Sequence, residues 1–282
     1  MDFQSIALPT ELRHHSNGRQ MYKNISFLKT NLHTICNFGV VLSMNLVVDI
    51  GNTFVKLAVF EGDKLVRLVV KKELNKSIIN SIFSDFNIEK GIFSSVRASS
   101  KDEILLKNYN FLQLTPQTPI PLAIKYKTAE TLGLDRIAAA VGARHRFKNG
   151  DLLVVDAGTC VTYDFVNLKH EFLGGAISPG FEMRFKALNY FTGKLPDVNF
   201  SKDKLKMIGD TTENSIISGV YNGLKYEMEG VINTYLSQYA SLKIVLTGGN
   251  RNLFDLAPKN RIFADEFLVL KGLNEILIYN EE

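Results

Sequence analysis

The chain has 282 residues, of which 45% are hydrophobic and 22% charged, so it can bury one large core or two modest ones and does not have the composition of a disordered protein. Its formal net charge of +4 comes from scattered basic residues, and no apolar run approaches the ~20 residues that cross a bilayer, so we expect neither a nucleic-acid nor a membrane partner. Cys36 and Cys160 form neither a disulfide framework nor a zinc motif, which favours a reducing, cytoplasmic location.

The first 43 residues differ in character from the rest. They contain three of the five histidines and show no clear periodicity, whereas Met44 begins an abrupt apolar run. We interpret residues 1–43 as an extension, either an arm with little order or a segment before the true start at Met44. A short helix packed on the body is the alternative.

An internal duplication organises the remainder of the chain. The run LVVDIGNT at residues 46–53 is echoed by LVVDAGTC at residues 153–160. Each copy is an apolar strand that ends in Asp-x-Gly, and two more strand-like runs follow each copy after turns. A turn signal at residues 149–151 separates the copies.

The other predicted elements follow these strands. Helical spacing is present in residues 77–86, 137–147, 181–191 and 215–239, and buried strands are expected at residues 92–96 and 243–247. We therefore predict an α/β fold of two duplicated halves, residues 44–150 and 151–282, with mixed sheets around a central cleft.

The two repeated turns have the chemistry of a phosphate site. Gly51 and Gly158 let the backbone approach a ligand, so that successive N–H groups and the hydroxyl of Thr53 can point at one anion. Asp49 and Asp156 end their strands, where a carboxylate can hold a cation such as the magnesium that ATP carries. One copy alone would indicate an ordinary β-turn, but two copies favour a triphosphate held from both sides.

Other phosphate devices are weaker or absent. The P-loop motif G-x-x-x-x-G-K-[ST] does not occur. Gly248-Gly249-Asn250 follows a predicted strand and could let a nucleoside lie against the backbone, although an ordinary loop explains it equally well. Cys160 has no histidine near it in sequence, so we interpret it as a small buried residue and not as a nucleophile.

An ordered set of motifs along residues 44–282 resembles type III pantothenate kinase, within the superfamily of actin, sugar kinases and chaperone ATPases. The resemblance implies two actin-like (ribonuclease H-like) halves around a central ATP cleft. The matching positions are residues 49–56, Ser94-Ser95-Val96, Tyr126 with residues 133–136, residues 156–159, Gly174-Gly175 with Pro179-Gly180, and residues 209–212 with Gly219.

The resemblance also implies a role for each matched position. Asp135 would be the general base that takes the proton from the pantothenate hydroxyl, and Asp156 would bind potassium or ammonium. ATP would be held by Thr159 and by the first motif, Asp49, Ile50, Gly51, Asn52, Thr53, Phe54, Val55 and Lys56. Pantothenate would be held by Tyr126, Gly133, Leu134, Asp135, Arg136 and Thr212. The implied reaction is phosphorylation of pantothenate by ATP and Mg²⁺ to 4'-phosphopantothenate, the first step of coenzyme A biosynthesis. The implied assembly is a homodimer with pantothenate near the subunit interface.

Three of these side chains have plainer interpretations. Asp135 precedes a helix predicted to begin near Ile137, where aspartate is a favoured N-cap, and a cap could also face the cleft. Arg136 offers a planar fork for a carboxylate, or is a solvated surface charge. His145 is expected at the surface, between two arginines that disfavour its charged form.

Two other functions stay open. One is a kinase for another small alcohol, or a polyphosphate hydrolase, on the same scaffold. The other is an ATP-binding regulatory protein of the same family that lacks kinase activity and assists transcription or partner proteins. The joint presence of Asp49, Asp135, Arg136 and Asp156 favours an enzyme, because a pure binder needs no base beside a substrate-binding arginine.

Overall fold

The computed structural model describes residues 43–97 and 101–281, so the predicted extension before Met44 falls outside the described residues except at Ser43. Five strands form a first mixed sheet in the spatial order β3-β2-β1-β4-β5. They are β1 (Met44–Ile50), β2 (Val55–Glu61), β3 (Lys64–Lys71), β4 (Ile88–Ser95) and β5 (Leu112–Gln113). The first three strands pair antiparallel, whereas β4 runs parallel to β1 and β5 parallel to β4. Two crossover helices make these parallel pairs possible, α1 (Lys76–Asp85) and α2 (Lys101–Leu106).

A second mixed sheet repeats this pattern. Its strands are β6 (Ala123–Ile124), β7 (Leu152–Ala157), β8 (Cys160–Val166), β9 (Glu171–Pro179), β10 (Lys243–Thr247) and β11 (Ile262–Ala264). The spatial order is β11-β10-β7-β8-β9-β6, with β7, β8 and β9 antiparallel and with β10 and β11 parallel to their neighbours. The strands β7, β8, β9, β10 and β11 thus correspond, in that order, to β1, β2, β3, β4 and β5. The predicted duplication is confirmed.

Two helices lie between the sheets. The first, α3 (Leu134–Arg146), and the last, α6 (Leu268–Tyr279), share one apolar core with residues of both sheets. Their backbones touch: a Cβ atom at Gly272 would overlap the carbonyl oxygen of Ala138, and one at Gly142 would overlap that of Leu268. Glycine at both positions therefore sets the close approach of α3 and α6.

Alternation along β1 shows why residues 46–48 are all apolar. Val47 packs into the core shared with α3 and α6, whereas Leu46 and Val48 pack into a second core with α1. Successive strand residues point to opposite faces, so a strand covered on both sides carries an uninterrupted apolar run. The same logic applies to β7, where Val154 and Val155 lie in different cores.

The remaining helices cover the outer face of the second sheet. They are α4 (Phe181–Tyr190) and the long α5 (Thr212–Gln238), both packed into the core that contains Val155. No helix in the described ranges combines the length and apolar character needed to cross a membrane.

The proposed boundary near residue 150 coincides with the turn between α3 and β7. Elements cross it in both directions, since β6 joins the second sheet and α6 packs on the first. The division of the chain into two halves, residues 44–150 and 151–282, therefore stays a prediction.

Candidate active site

The first repeated turn connects β1 to β2. Asp49 is the penultimate residue of β1 and lies opposite Lys56 of β2. The turn closes with a hydrogen bond from the Gly51 amide to the carbonyl of Phe54, 3.0 Å. Asp49 is buried, whereas the turn residues Asn52 and Thr53 are exposed. Backbone and hydroxyl groups at the tip are therefore available to a ligand while the carboxylate lies beneath them.

The second repeated turn is one residue shorter than the first, since three residues separate the paired Ala157 and Val161 where four separate Ile50 and Val55. Asp156 lies near the end of β7, and the Gly158 amide donates to the carbonyl of Cys160, 3.0 Å. Opposite Asp156 stands Thr162, where the first turn has Lys56. Thr159 at the tip is exposed, and Cys160 is half-buried, less enclosed than predicted.

The two turns and the start of α3 form one electrostatic cluster. Burial raises the pKa of Asp49 to about 6, with Lys56 opposing the rise and Asp135 adding to it. Burial raises the pKa of Asp156 to about 7, with Asp135 and Asp49 adding and Lys56 opposing. Asp49 and Asp156 thus interact electrostatically with the ammonium of Lys56, and Asp135 interacts with both of these carboxylates. Such a set of hard oxygen donors fits Mg²⁺ or a monovalent cation.

The third glycine turn lies against the second. Gly248 has a φ of 90°, and a Cβ atom there would overlap Oδ1 of Asp156. The Asn250 amide donates to the carbonyl of Ala157, 2.9 Å. The structure therefore places Gly248-Gly249-Asn250 beside Asp156, which favours its interpretation as part of the site.

The base candidate lies inside a helix and not at its cap. The helix α3 begins at Leu134, earlier than the predicted Ile137, and Gly133 is the N-cap residue. The N-cap interpretation of Asp135 is therefore wrong. Its Oδ1 accepts the amide of Arg136, 2.9 Å, and would lie 2.6 Å from a Cβ atom at Gly133. The lack of a side chain at Gly133 leaves room for the Asp135 carboxylate.

Arg136 is buried at 7% exposure, which excludes the interpretation as a solvated charge. Its Nε and Nη2 atoms both donate to Oδ1 of Asp164 on β8, at 2.9 and 2.5 Å. The rings of Tyr126 and Phe172 lie 5.8 and 5.9 Å from the guanidinium carbon. Tyr126, Asp135 and Arg136 are thus brought together at one end of α3.

Thr212 lies on a different helix. It is the first residue of α5 and is exposed, and Thr211 caps the helix by accepting the amide of Asn214, 3.1 Å. Within the described ranges, no hydrogen bond connects Thr212 to Tyr126 or Arg136.

Two residues of the site were missed by sequence reasoning. Arg97 donates from Nη2 to the carbonyl of Asn52 in the first turn, 3.0 Å, and its Nη1 lies 3.5 Å from Asp102. It directly follows the motif Ser94-Ser95-Val96. Asp164 could have been found as the charged residue inside an apolar strand, where an unpaired charge is costly.

The expected neighbours of His145 are only partly right. Its Nε2 lies 3.1 Å from Asp63 and its Nδ1 2.7 Å from Glu275, and the cation beside the ring is the ammonium of Lys148, 3.5 Å from Nδ1. The ring is partly buried. Ten residues of α3 place it about 15 Å from Asp135, at the far end of the helix.

Comparisons with known proteins show which family the chain belongs to. The sequence model of type III pantothenate kinase matches residues 45–234. A type III pantothenate kinase from Phocaeicola vulgatus is 44% identical over 85% of this chain and 100% of its own, and one from Christiangramia forsetii is 43% identical over 84% and 99%.

Two solved structures share the fold. A conserved protein from Campylobacter jejuni, described as a Baf family transcriptional activator, is 26% identical over 84% of this chain and 98% of its own, with a TM-score of 0.53. A ROK family protein from Streptococcus pneumoniae TIGR4, solved with sucrose, is 12% identical over 84% and 99%, with a TM-score of 0.50. The second likeness concerns the fold alone, that of duplicated actin-like halves. Because the family model spans both repeated turns and the relatives match almost their whole length, the chain belongs to the type III pantothenate kinase family.

Proposed function

We propose that this protein transfers a phosphoryl group from ATP to the hydroxyl group of pantothenate, giving 4'-phosphopantothenate for coenzyme A biosynthesis. The observation that supports the proposal, beside family membership, is the electrostatic coupling of Asp49 and Asp156 to each other, to Asp135 and to Lys56. Phosphoryl transfer depends mainly on positioning and charge stabilisation, and this cluster offers both beside two turns rich in backbone donors.

The two turns hold ATP in this proposal. The exposed amides and hydroxyls of residues 49–56 and of Thr159 bind its phosphates, with Lys56 as the cationic contact. Arg97 supports the first turn through the Asn52 carbonyl, 3.0 Å. Mg²⁺ bound with ATP neutralises charge on the transferred group, and Asp156 holds a monovalent cation, K⁺ or NH₄⁺. The raised pKa of Asp156 supports this role, because a nearby cation offsets the cost of its burial.

Asp135 removes the proton from the acceptor hydroxyl. It is half-buried in the first turn of α3 and interacts with Asp49 and Asp156. Because these two residues belong to the turns that hold ATP, Asp135 lies beside the phosphates in this proposal. Tyr126, Gly133, Leu134 and Arg136 line the pantothenate site next to it. Arg136 binds the pantothenate carboxylate, because a guanidinium held close to the base can fix the far end of the substrate.

We place Thr212 in the pantothenate site of a second copy, in a homodimer. Several large apolar side chains near α5 are exposed, which is typical of an interaction surface: Tyr190 and Phe191 at 80%, Met207 at 70%, Ile208 at 82% and Tyr226 at 51%. Met207 and Tyr226 lie side by side, with the hydroxyl 4.0 Å from the sulfur. A cytoplasmic site of action fits the free thiol of Cys160.

The assay that tests the reaction combines protein, ATP, Mg²⁺ and K⁺ with a panel of alcohols. We expect pantothenate to be phosphorylated and Asp135→Asn to lose turnover by roughly 100-fold or more while ATP binding persists, since a positioned base contributes about that factor. Glu130→Gln, a change of an exposed acid nearby, is the control. Full activity of Asp135→Asn contradicts the base. Phosphorylation of another alcohol in place of pantothenate would contradict the proposed substrate. ATP binding without phosphorylation of any alcohol would contradict the proposed enzymatic activity.

The oligomeric state tests the interface. Ile208→Glu should give a monomer by light scattering and a raised KM for pantothenate, whereas Ile104→Glu, at another exposed apolar position, should not. A dimer that survives Ile208→Glu, or a monomeric wild type, contradicts this assembly.

A further inference from the structure

Asp164 is a buried carboxylate in the middle of an apolar strand. Its side chain is 1% exposed, and burial raises its pKa while the guanidinium of Arg136 opposes that rise. Its Oδ2 is buried and makes no hydrogen bond of normal geometry among the described residues, and the neighbouring hydroxyl of Thr162 also opposes the rise in pKa. A buried ion pair contributes little to stability compared with apolar residues of similar volume, so the pair calls for another explanation.

The geometry of the pair fixes the orientation of Arg136. Nε and Nη2 both donate to the same oxygen, Oδ1 of Asp164, at 2.9 and 2.5 Å. One edge of the guanidinium is therefore committed to Asp164, whereas Nη1 is not, and the hydroxyl of Tyr126 also interacts with the guanidinium. The rings of Tyr126 and Phe172, at 5.8 and 5.9 Å, limit the remaining freedom of the plane.

Two glycines of β9 close this arrangement from the other side. Gly175 pairs with Asp164 in the sheet register, and a Cβ atom there would overlap the carbonyl of Tyr163. Gly174 has a φ of 112°, and a Cβ atom there would lie 3.1 Å from the ring of Tyr126. The strand thus comes close enough to exclude water from Asp164, which strengthens its interaction with Arg136.

We propose that Asp164 is a positioning residue for substrate recognition: it holds Arg136 beside Asp135 so that the free edge of the guanidinium receives the carboxylate of the acceptor alcohol. Asp164 itself does not touch the substrate. Through Arg136 it makes the site selective for alcohols that carry a carboxylate over uncharged analogues. This inference rests on the proposed phosphorylation of pantothenate and deepens it.

The test compares an acidic and a neutral acceptor. Wild type and Asp164→Asn are assayed with pantothenate and with its analogue in which a hydroxymethyl group replaces the carboxylate. We expect Asp164→Asn to raise the KM for pantothenate by roughly 10- to 100-fold, the range for loss of a charge-assisted hydrogen bond. Its kcat, its KM for ATP and its KM for the neutral analogue should each stay within about threefold of wild type. An unchanged KM for pantothenate, or equal losses with both acceptors, overturns the proposal.

A second variant covers the case in which Asp164→Asn folds poorly because Arg136 is left as a lone buried charge. The double variant Arg136→Gln with Asp164→Asn removes both charges, although glutamine is smaller than arginine. Its KM for pantothenate should lie within about twofold of that of Arg136→Gln alone, because Asp164 acts through Arg136. Additive effects of the two changes overturn the proposal. If wild type phosphorylates neither acceptor, the proposed function fails and this inference with it; if wild type is active and the variants match it, only the role of Asp164 fails.

Discussion

Removal of the buried charge at Asp49 should change how stability depends on pH. Burial raises the pKa of this carboxyl from 3.8 to about 6. Between these values the folded chain binds more protons than the unfolded chain, so the free energy of unfolding falls as pH rises through that window. The ionised carboxylate therefore destabilises the ligand-free protein at neutral pH and has no such effect below about pH 4.

The magnitude follows from the two pKa values. A rise from 3.8 to about 6 is roughly 2 units. Each unit corresponds to about 1.36 kcal/mol, so ionised Asp49 destabilises the folded state by about 3 kcal/mol. Asparagine has a similar shape and no charge. Asp49→Asn should therefore exceed wild type in unfolding free energy by up to about 3 kcal/mol near pH 8, with the difference vanishing near pH 4.

Urea unfolding of the ligand-free proteins over this pH range measures the difference. Asp255→Asn, a change at a carboxylate that is 82% exposed, is the matched control and should follow wild type throughout. The same Asp49→Asn protein should bind ATP more weakly, which separates a functional carboxylate from a structural one. Stability curves of Asp49→Asn and wild type that run parallel with pH would refute the reasoning.

Three further outcomes are expected. Gly272→Ala should lower the unfolding free energy by about 3 kcal/mol or more, because the added methyl group would overlap the Ala138 carbonyl. Gly230→Ala, the control, has open space around it and should be neutral or stabilising. Equal thermal stability of the two variants would contradict the contact between α3 and α6. Arg97→Gln should raise the KM for ATP several-fold and leave that for pantothenate unchanged, since it supports the first turn through Asn52; an unaltered KM for ATP would remove that role. Turnover should be faster in K⁺ or NH₄⁺ than in Na⁺ at equal ionic strength, and Asp156→Asn should abolish the difference; a wild type indifferent to the cation would remove the cation from Asp156.

The predicted strands were found because their signal is local. Apolar runs that end in Asp-x-Gly repeat in the sequence, and both copies form the predicted hairpins. The helices α1, α4 and α5 begin within three residues of their predicted starts. The helix α6 was not predicted, although its apolar residues follow a helical pattern as strong as that of α3, so the signal was present in the sequence and was overlooked. The short strands β5, β6 and β11 have two or three residues each, and only their neighbours in the fold define them.

Some residues of the site could also be predicted from local sequence, and others could not. Asp49 and Asp156 could be predicted because each ends a strand in a repeated motif. The start of α3 was misplaced since Gly133, with no capping side chain, gives no signal for a helix N-terminus. The partnership of Arg136 with Asp164 joins residues 28 positions apart, and that of Arg97 with Asn52 joins residues 45 apart. Contacts at such separations depend on the packing of the two sheets and leave no periodic trace.

The position of α6 has a consequence for how the chain acquires its structure during synthesis. Asn274 accepts the side chain of Asn45 at 3.0 Å and donates to the carbonyl of Gly62 at 2.9 Å, the former across 229 residues of sequence. The inner face of the first sheet thus gains the cover of α6 only after the strands of the second sheet have been synthesised. Nascent chains must keep that part of the apolar face from other chains in the meantime, and a truncation before Leu268 would leave it exposed.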